Sequence, residues 1–136
     1  NQIGGGMSAA GKYFPHDEFY DTSTREIIAA IAPIASPGAF VACETPSLFE
    51  YYAEKAGRKD LRIISLSDKN KAASLSANDI IVITRGRRYF SNTAYEDYLK
   101  NNANPSADIK VAGATSALIY RLDETSLAGI QAISRN

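Results

Sequence analysis

The sequence predicts an α/β domain built around a central parallel sheet. The run Asp79-Ile80-Ile81-Val82-Ile83-Thr84 is short, β-branched and apolar, which is typical of a strand buried on both faces. Apolar runs of this kind alternate along the chain with amphipathic helical segments, the order expected of parallel strands joined by crossover helices. A length of 136 residues with 45% hydrophobic side chains provides one core without metal or disulfide staples.

The first helix is predicted from a capping box. Ser23 is followed three residues later by Glu26, the spacing that satisfies free amides at a helix start. The apolar residues of its inner face would be Ile27, Ala30, Ile31 and Ile34. Pro33 should end this helix near Ala32. The aromatic and acidic segment Lys12 to Asp21 has no clean period and is predicted to be irregular.

The next unit is a strand followed by a helix. Pro37-Gly38 predicts a turn, and the apolar run Ala39 to Cys43 predicts the first strand. Thr45 would cap a second helix that has Pro46 in its first position and ends at Gly57 in a left-handed conformation. The residues that this helix would turn inward are Leu48, Phe49, Tyr52 and Ala56.

Leu61 to Leu66 predicts the second strand, and Lys69 to Leu75 a short helical segment before the central strand. A third helix would be capped by Asn92 or Thr93 and should end near Asn101. Two further strands, Ile109 to Ala112 and Ala117 to Leu122, are predicted to form an antiparallel hairpin at the sheet edge. The tail from Ser126 to Ile133 is weakly helical in pattern.

Together these elements predict a Rossmann-like three-layer sandwich with parallel central strands and an antiparallel C-terminal hairpin. Residues 1–11 contain Gly4-Gly5-Gly6 and are predicted to be a flexible linker, because successive glycines lose much entropy on ordering. Residues 12–136 would form a single α/β domain. The chain begins at Asn1 rather than at methionine, which suggests that it was cut from a longer protein.

Composition and charge exclude some functions. Fifteen basic and fifteen acidic side chains cancel, which argues against a general nucleic-acid partner, because such binders carry a basic excess. Cys43 is the single cysteine, so neither an intrachain disulfide nor a cysteine-based zinc cage can form. No apolar run is long enough to span a bilayer. Any electropositive site must therefore be local.

The strongest candidate for such a site is the basic loop after the central strand. Arg85, Arg87 and Arg88 could clamp a phosphate or carboxylate with paired hydrogen bonds, and Gly86 would let the backbone approach the anion. The alternative is that these arginines are solvated and pair with the acidic side chains of Glu96 and Asp97. An open α/β sheet keeps its ligands at the carboxyl ends of its strands, which is where this loop begins.

A second candidate is a divalent metal site. The single histidine, His16, lies within a few residues of Asp17, Glu18 and Asp21, but this spacing matches no metal motif. The alternative is that His16 caps the following helix while the carboxylates suit the positive end of its dipole.

Residue patterns provide no catalytic residue and no cofactor site. Gly4-Gly5-Gly6 and Gly11 follow no strand and match neither the dinucleotide fingerprint nor the phosphate-loop spacing. Cys43 lies in an apolar strand, which indicates a small core residue rather than a nucleophile. No serine stands in a Gly-x-Ser-x-Gly elbow.

The order of motifs resembles a known family. The chain contains Gly4-Gly5, then Lys12-Tyr13-Phe14-Pro15-His16-Asp17-Glu18-Phe19-Tyr20-Asp21, with Arg25-Glu26 opening a helix. It continues with Arg85-Gly86-Arg87-Arg88-Tyr89-Phe90 and closes with Ile119-Tyr120-Arg121-Leu122. In these motifs the chain resembles the carboxy-terminal soluble region of bacterial polytopic membrane glycosyltransferases, the dolichyl-phosphate-mannose protein mannosyltransferase-like proteins.

The resemblance implies an accessory role. In that family the catalytic carboxylates lie near the amino-terminal membrane helices, so no catalytic residue can be assigned here and the fragment alone should be inactive. The resemblance implies an extracytoplasmic (periplasmic) domain tethered to an amino-terminal transmembrane part of the same protein, which would be a glycosyltransferase. The partners implied are that part, a polyprenyl-phosphate sugar donor and the acceptor. The alternative function is a free-standing Rossmann-like module that binds a small anion at the Arg85 to Arg88 loop.

Overall fold

The computed structural model describes residues 16–84, 93–111 and 114–134. The elements in chain order are α1 (His16–Ile31), β1 (Phe40–Cys43), α2 (Pro46–Lys55), β2 (Arg62–Ser65), α3 (Lys69–Ala72), β3 (Ile80–Thr84), α4 (Thr93–Asn102), β4 (Ala107–Val111), β5 (Ala114–Arg121) and α5 (Glu124–Ser134). Within these ranges no helix has both the length and the apolar character needed to cross a bilayer. The predicted linker, residues 1–11, lies outside the described ranges.

The described strands form one five-stranded mixed sheet in the order β2-β1-β3-β5-β4. β1 pairs in parallel with β2 on one side and with β3 on the other. β5 pairs antiparallel with both β3 and β4. The chain therefore moves from β1 to β2 in one direction and then crosses back past β1 to place β3 on its other side.

Helices cover both faces of this sheet. Val41, Ile80 and Val82 turn toward a core shared with Ile27 of α1 and Phe49 of α2. The alternate strand residues, including Ala42, Ile81 and Ile83, belong to a second core with α3, α4 and α5. The alternation follows from the two-residue period of a strand, and it explains why the central strand must be apolar on both faces.

The central strand and the hairpin confirm two predictions. The side chains of Ile80, Ile81, Val82 and Ile83 are each at most 4% exposed, and β3 is the third of five strands. Burying each such side chain contributes roughly 1.5–3 kcal/mol, so β3 is a principal source of stability. β4 and β5 are antiparallel with β4 at the edge, as the sequence predicts.

The start of the first helix corrects the sequence analysis. α1 begins at His16, so the prediction of an irregular chain up to Asp21 is wrong from this residue onward, and the Ser23 to Glu26 capping-box spacing falls inside the helix. The backbone of Asp17 and Glu18 is helical and belongs to the first described turn of α1. The core stripe is Ile27, Ile28 and Ile31, and the helix ends just before Ala32 as predicted.

The second helix agrees with its prediction at both ends. It begins at Pro46, and Gly57 follows its end with φ of 79°, a conformation that glycine adopts without strain. The inner face of this helix differs from the prediction at one alanine: Ala53 is buried together with Phe49, whereas Ala56, which was predicted to face inward, is exposed. An alanine near a helix end carries little information about facing, which explains this error.

Polar contacts of two residues, Arg58 and Asp79, fix the amino edge of the parallel strands. Arg58 donates to the carbonyl oxygens of Ala32, Ala35 and Ser36 after α1 and pairs with Asp60, 3.0 Å from Nε to Oδ1. Asp79 is 6% exposed, and its carboxylate accepts from the amide of Phe40 at 2.9 Å and from that of Ser76 at 2.7 Å. This bond to Phe40 extends the contact of β3 with β1 beyond their ladder.

Candidate site at the carboxyl ends of β1 and β3

The candidate site lies where the path of the chain through the sheet reverses. β1 ends at Cys43 and β3 at Thr84, and the two strands are parallel neighbours. The connection after β1 leads to β2 on one side, whereas β3 lies on the other side. Connections that leave adjacent strand ends in opposite directions open a crevice between them, and open α/β sheets bind ligands there.

A hydrogen bond between side chains joins the two strand ends. The Thr84 hydroxyl donates to Oε1 of Glu44 over 3.3 Å. Glu44 directly follows β1 and is only 7% exposed. Burying a carboxylate is costly unless it is hydrogen-bonded, so the Thr84 hydroxyl helps to keep Glu44 at this edge. The contact fixes one acidic group between β1 and β3.

The amino end of α2 lies beside this contact. Thr45 is the N-cap residue and Pro46 the first helical residue, directly after Glu44. The Thr45 side chain makes no capping hydrogen bond, although its carbonyl oxygen accepts from the amide of Phe49 at 3.3 Å. The first amides of a helix and its dipole favour acidic groups. This edge therefore combines a buried carboxylate, a hydroxyl and the positive end of a ten-residue helix.

Cys43 is part of the core and not of the site. Its side chain is fully buried, with Sγ 3.9 Å from the carbonyl oxygen of Ile64. Burial raises the pKa of the thiol to about 12. A thiol with this pKa is protonated at neutral pH and is a poor nucleophile, which confirms the sequence interpretation of Cys43 as a small core residue.

The predicted anion-binding residues Arg85, Gly86, Arg87 and Arg88 lie outside the described residues. In the sequence, Arg85 directly follows Thr84, the last residue of β3. Of the two carboxylates proposed as alternative partners, Glu96 is 2% exposed with Oε1 3.9 Å from Nζ of Lys100, and Asp97 is exposed. Pairing of either with an arginine of the loop stays a prediction.

The predicted metal ligands His16, Asp17, Glu18 and Asp21 occupy the first turns of α1. Their backbone is helical, which places positions 17 and 21 about one turn apart, whereas their side chains are outside the described set. Among the residues whose side chains are described, no group of three or more histidine, cysteine, aspartate or glutamate residues could hold a metal ion. The metal site stays a prediction.

Sequence reasoning missed Glu44 and Thr84 as residues that meet at the site, and Asp79 as the residue that joins the amino ends of β1 and β3. The usable signal was their place in the chain, since Glu44 and Thr84 stand at the carboxyl ends of two predicted parallel strands. Their pairing requires β1 and β3 to be neighbours, and the order of strands in a sheet is not encoded in any local pattern. Comparison with protein-family models, with curated proteins and with solved structures finds no match for this chain.

Proposed function

We propose that this chain is a non-catalytic, Rossmann-like domain that binds a phosphate-bearing ligand at the carboxyl ends of β1 and β3. The observation that carries the proposal is that β1 and β3 are parallel neighbours that end side by side, at the point where the chain reverses its path through the sheet. The three arginines of the basic loop start one residue after Thr84. In this arrangement the basic loop leaves the sheet at the position where open α/β sheets bind ligands.

The roles of the groups follow from their charges. Guanidinium groups of Arg87 and Arg88 bind phosphate oxygens through paired hydrogen bonds, and the first turn of α2 adds backbone amides. Glu44 is itself acidic, so it does not contact the phosphate. It orients an arginine or accepts from a hydroxyl group of the ligand, with Thr84 holding its other side. These interactions bind and orient a ligand and break no bond.

The proposed setting is a membrane glycosyltransferase that uses a polyprenyl-phosphate sugar donor. Support for it comes from the resemblance in the amino-terminal motif, in the arginine loop and in the closing strand. The domain would lie on the extracytoplasmic (periplasmic) side and act beside the amino-terminal transmembrane part of the same protein. Its ligand would be the head group of the donor, and transfer of the sugar would be catalysed by the membrane part.

A second candidate is a free-standing module that binds a small anion such as a nucleotide at the same loop. The observation that favours it is the position of Thr84, since doubly wound sheets place nucleotide phosphates at the point of reversal. The two candidates share one binding site and differ in the remainder of the ligand.

The experiment is a titration of the purified chain with geranyl phosphate, inorganic phosphate and ADP, measured by calorimetry. The parent chain should bind at least one of them, and Arg87→Ala/Arg88→Ala should weaken binding at least tenfold, because each charge-assisted hydrogen bond contributes about 1.5–3 kcal/mol. The matched control is Arg121→Ala, since Arg121 is exposed and pairs with Ile80 at the opposite end of β3. It should bind like the parent.

The ligand preference separates the two candidates. Preference for geranyl phosphate supports the accessory domain, and preference for ADP or phosphate supports the free-standing module. Sugar transfer by the purified domain alone would contradict the non-catalytic role. Absence of binding by all three anions, or equal binding by the double variant with unchanged circular dichroism, rejects the site.

A further inference from the structure

A cleft on the outer surface of the helical layer forms a second candidate site. It lies between α1 and α2 and has a volume of about 460 Å³, within the range of small-molecule sites. Arg25 and Ile28 line it from α1, and Tyr51, Tyr52 and Lys55 line it from α2. The cleft uses the second half of α2, whereas the site at the strand ends lies beside the first residue of that helix.

The floor and one wall of the cleft are apolar. Ile28 is 2% exposed and Tyr52 is partly buried. Tyr51 is a large hydrophobic residue, and 53% of it is exposed to water. The rings of Tyr51 and Tyr52 meet edge to face with centroids 5.0 Å apart, so the exposed Tyr51 ring packs against a partly buried one. An apolar ligand placed here would cover surface that is now exposed to water.

Among the residues whose side chains the structure describes, the charged groups that line the cleft are of one sign. Arg25 lies on α1 and Lys55 on α2, and no carboxylate of this described set lines the cleft. Nζ of Lys55 is 5.1 Å from the centroid of the Tyr51 ring, so this cation stays close to the apolar wall. The nearby acidic residue Glu54 pairs with Lys59, with Oε1 4.0 Å from Nζ, and Lys59 does not line the cleft. The cleft thus offers two cations above an apolar floor.

We propose that this cleft binds a small organic carboxylate with a linear apolar body, such as a medium-chain fatty acid. The carboxylate would lie between Arg25 and Lys55, and the chain would cover Ile28, Tyr51 and Tyr52. The inference does not depend on the site at the strand ends, because it uses other residues and another ligand.

The test is a titration with octanoate and decanoate below their micelle concentrations, followed by the amide signals of α1 and α2 in NMR spectra. Decanoate should bind more tightly than octanoate, by up to about fourfold for each added methylene that is buried. Decanol, which has the same chain without the charge, should bind several-fold more weakly than decanoate. The affinity should be the same in Arg87→Ala/Arg88→Ala.

Charge-removing variants provide the matched comparison. Arg25→Gln and Lys55→Gln should each weaken decanoate binding about two- to fivefold, the range of an exposed ion pair, and leave decanol binding unchanged. Lys59→Gln is the control, because Lys59 is 84% exposed and lies outside the cleft. The proposal is overturned if decanoate and decanol bind equally well, or if Lys59→Gln weakens decanoate binding as much as Lys55→Gln. It is also overturned if the chain binds anionic vesicles and does not bind decanoate.

Discussion

Asp79 provides the sharpest prediction about how β1 and β3 are held side by side. Its carboxylate accepts two backbone hydrogen bonds, from Phe40 at the start of β1 and from Ser76 in the turn before β3. A hydrogen bond to a charged group contributes about 1.5–3 kcal/mol, so two set an upper value of about 6 kcal/mol for Asp79→Ala. Both contacts are only part-buried and water can replace part of them. We therefore expect a loss of about 2–4 kcal/mol.

The assay is urea unfolding followed by circular dichroism, with the free energy of unfolding compared between variants. Asp79→Asn retains one acceptor oxygen and should lose about half as much as Asp79→Ala. Asp108→Ala is the control, because Asp108 is exposed on the edge strand β4, and its effect should be within about 0.5 kcal/mol. In thermal unfolding the Asp79→Ala loss corresponds to a midpoint lower by about 6–15 °C. A loss below about 1 kcal/mol, or one equal to that of the control, would contradict the role given to the two Asp79 hydrogen bonds.

Three further predictions concern burial, charge and packing. Because burial raises its pKa to about 12, the Cys43 thiol should react with Ellman's reagent only after unfolding in urea, and rapid reaction of the native protein would contradict the buried placement. The hydrogen bond from Arg58, and after it that from the Gly38 amide, lowers the pKa of the Asp60 carboxyl group. The ionised group therefore stabilises the fold above its unfolded-state pKa of about 3.9, and this stabilisation is lost as the pH falls below that value. The difference in unfolding free energy between the parent and Asp60→Asn should therefore shrink between pH 5 and pH 2, and a constant difference would exclude the pair as its cause. A Cβ at Gly129 would lie 2.0 Å from Cζ of Tyr98, so Gly129→Ala should lower the free energy of unfolding of the parent by about 1–3 kcal/mol. In a Tyr98→Ala background the same substitution should be neutral or stabilising, because the clash is gone and alanine favours a helix. Equal effects in the two backgrounds would contradict this contact.

Elements with a clear period or a clear terminator were predictable from the sequence. The central strand was recognisable because a strand buried on both faces can contain no polar residue in its interior. The ends of α2 were recognisable because proline and glycine act through their own backbone restrictions, as Pro46 and Gly57 show. The hairpin of β4 and β5 followed from two apolar runs separated by a short turn.

The first turns of α1 were not predictable by the same means. Their acidic and aromatic residues carry no helical stripe, and a capping-box spacing inside the helix at Ser23 supplied a false start. A capping box stabilises a helix end only when the chain before it is not helical, and the local spacing does not contain that information. The start of this helix therefore cannot be located from the local residue pattern, and tertiary contacts are needed to locate it.

The end of the central strand was predictable, whereas the partner that its last residue meets, Glu44, was not. The arginine loop was placed at the end of the central strand, and Thr84 does end that strand. Glu44 escaped notice because its importance depends on β1 being the parallel neighbour of β3, 40 residues away in sequence. Contacts between strand ends depend on sheet order, and sheet order results from packing of the whole domain.

The proposed phosphate-bearing ligand would bind where β1 and β3 end. The most direct measurement is a set of two-dimensional amide NMR spectra of the labelled chain during titration with geranyl phosphate. We expect the amide signals of Glu44, Thr45 and Thr84 to shift most, in proportion to the fraction of chain with ligand bound. These shifts should be lost in Arg87→Ala/Arg88→Ala. Saturable shifts confined to other parts of the domain, with these three signals unchanged, would contradict it.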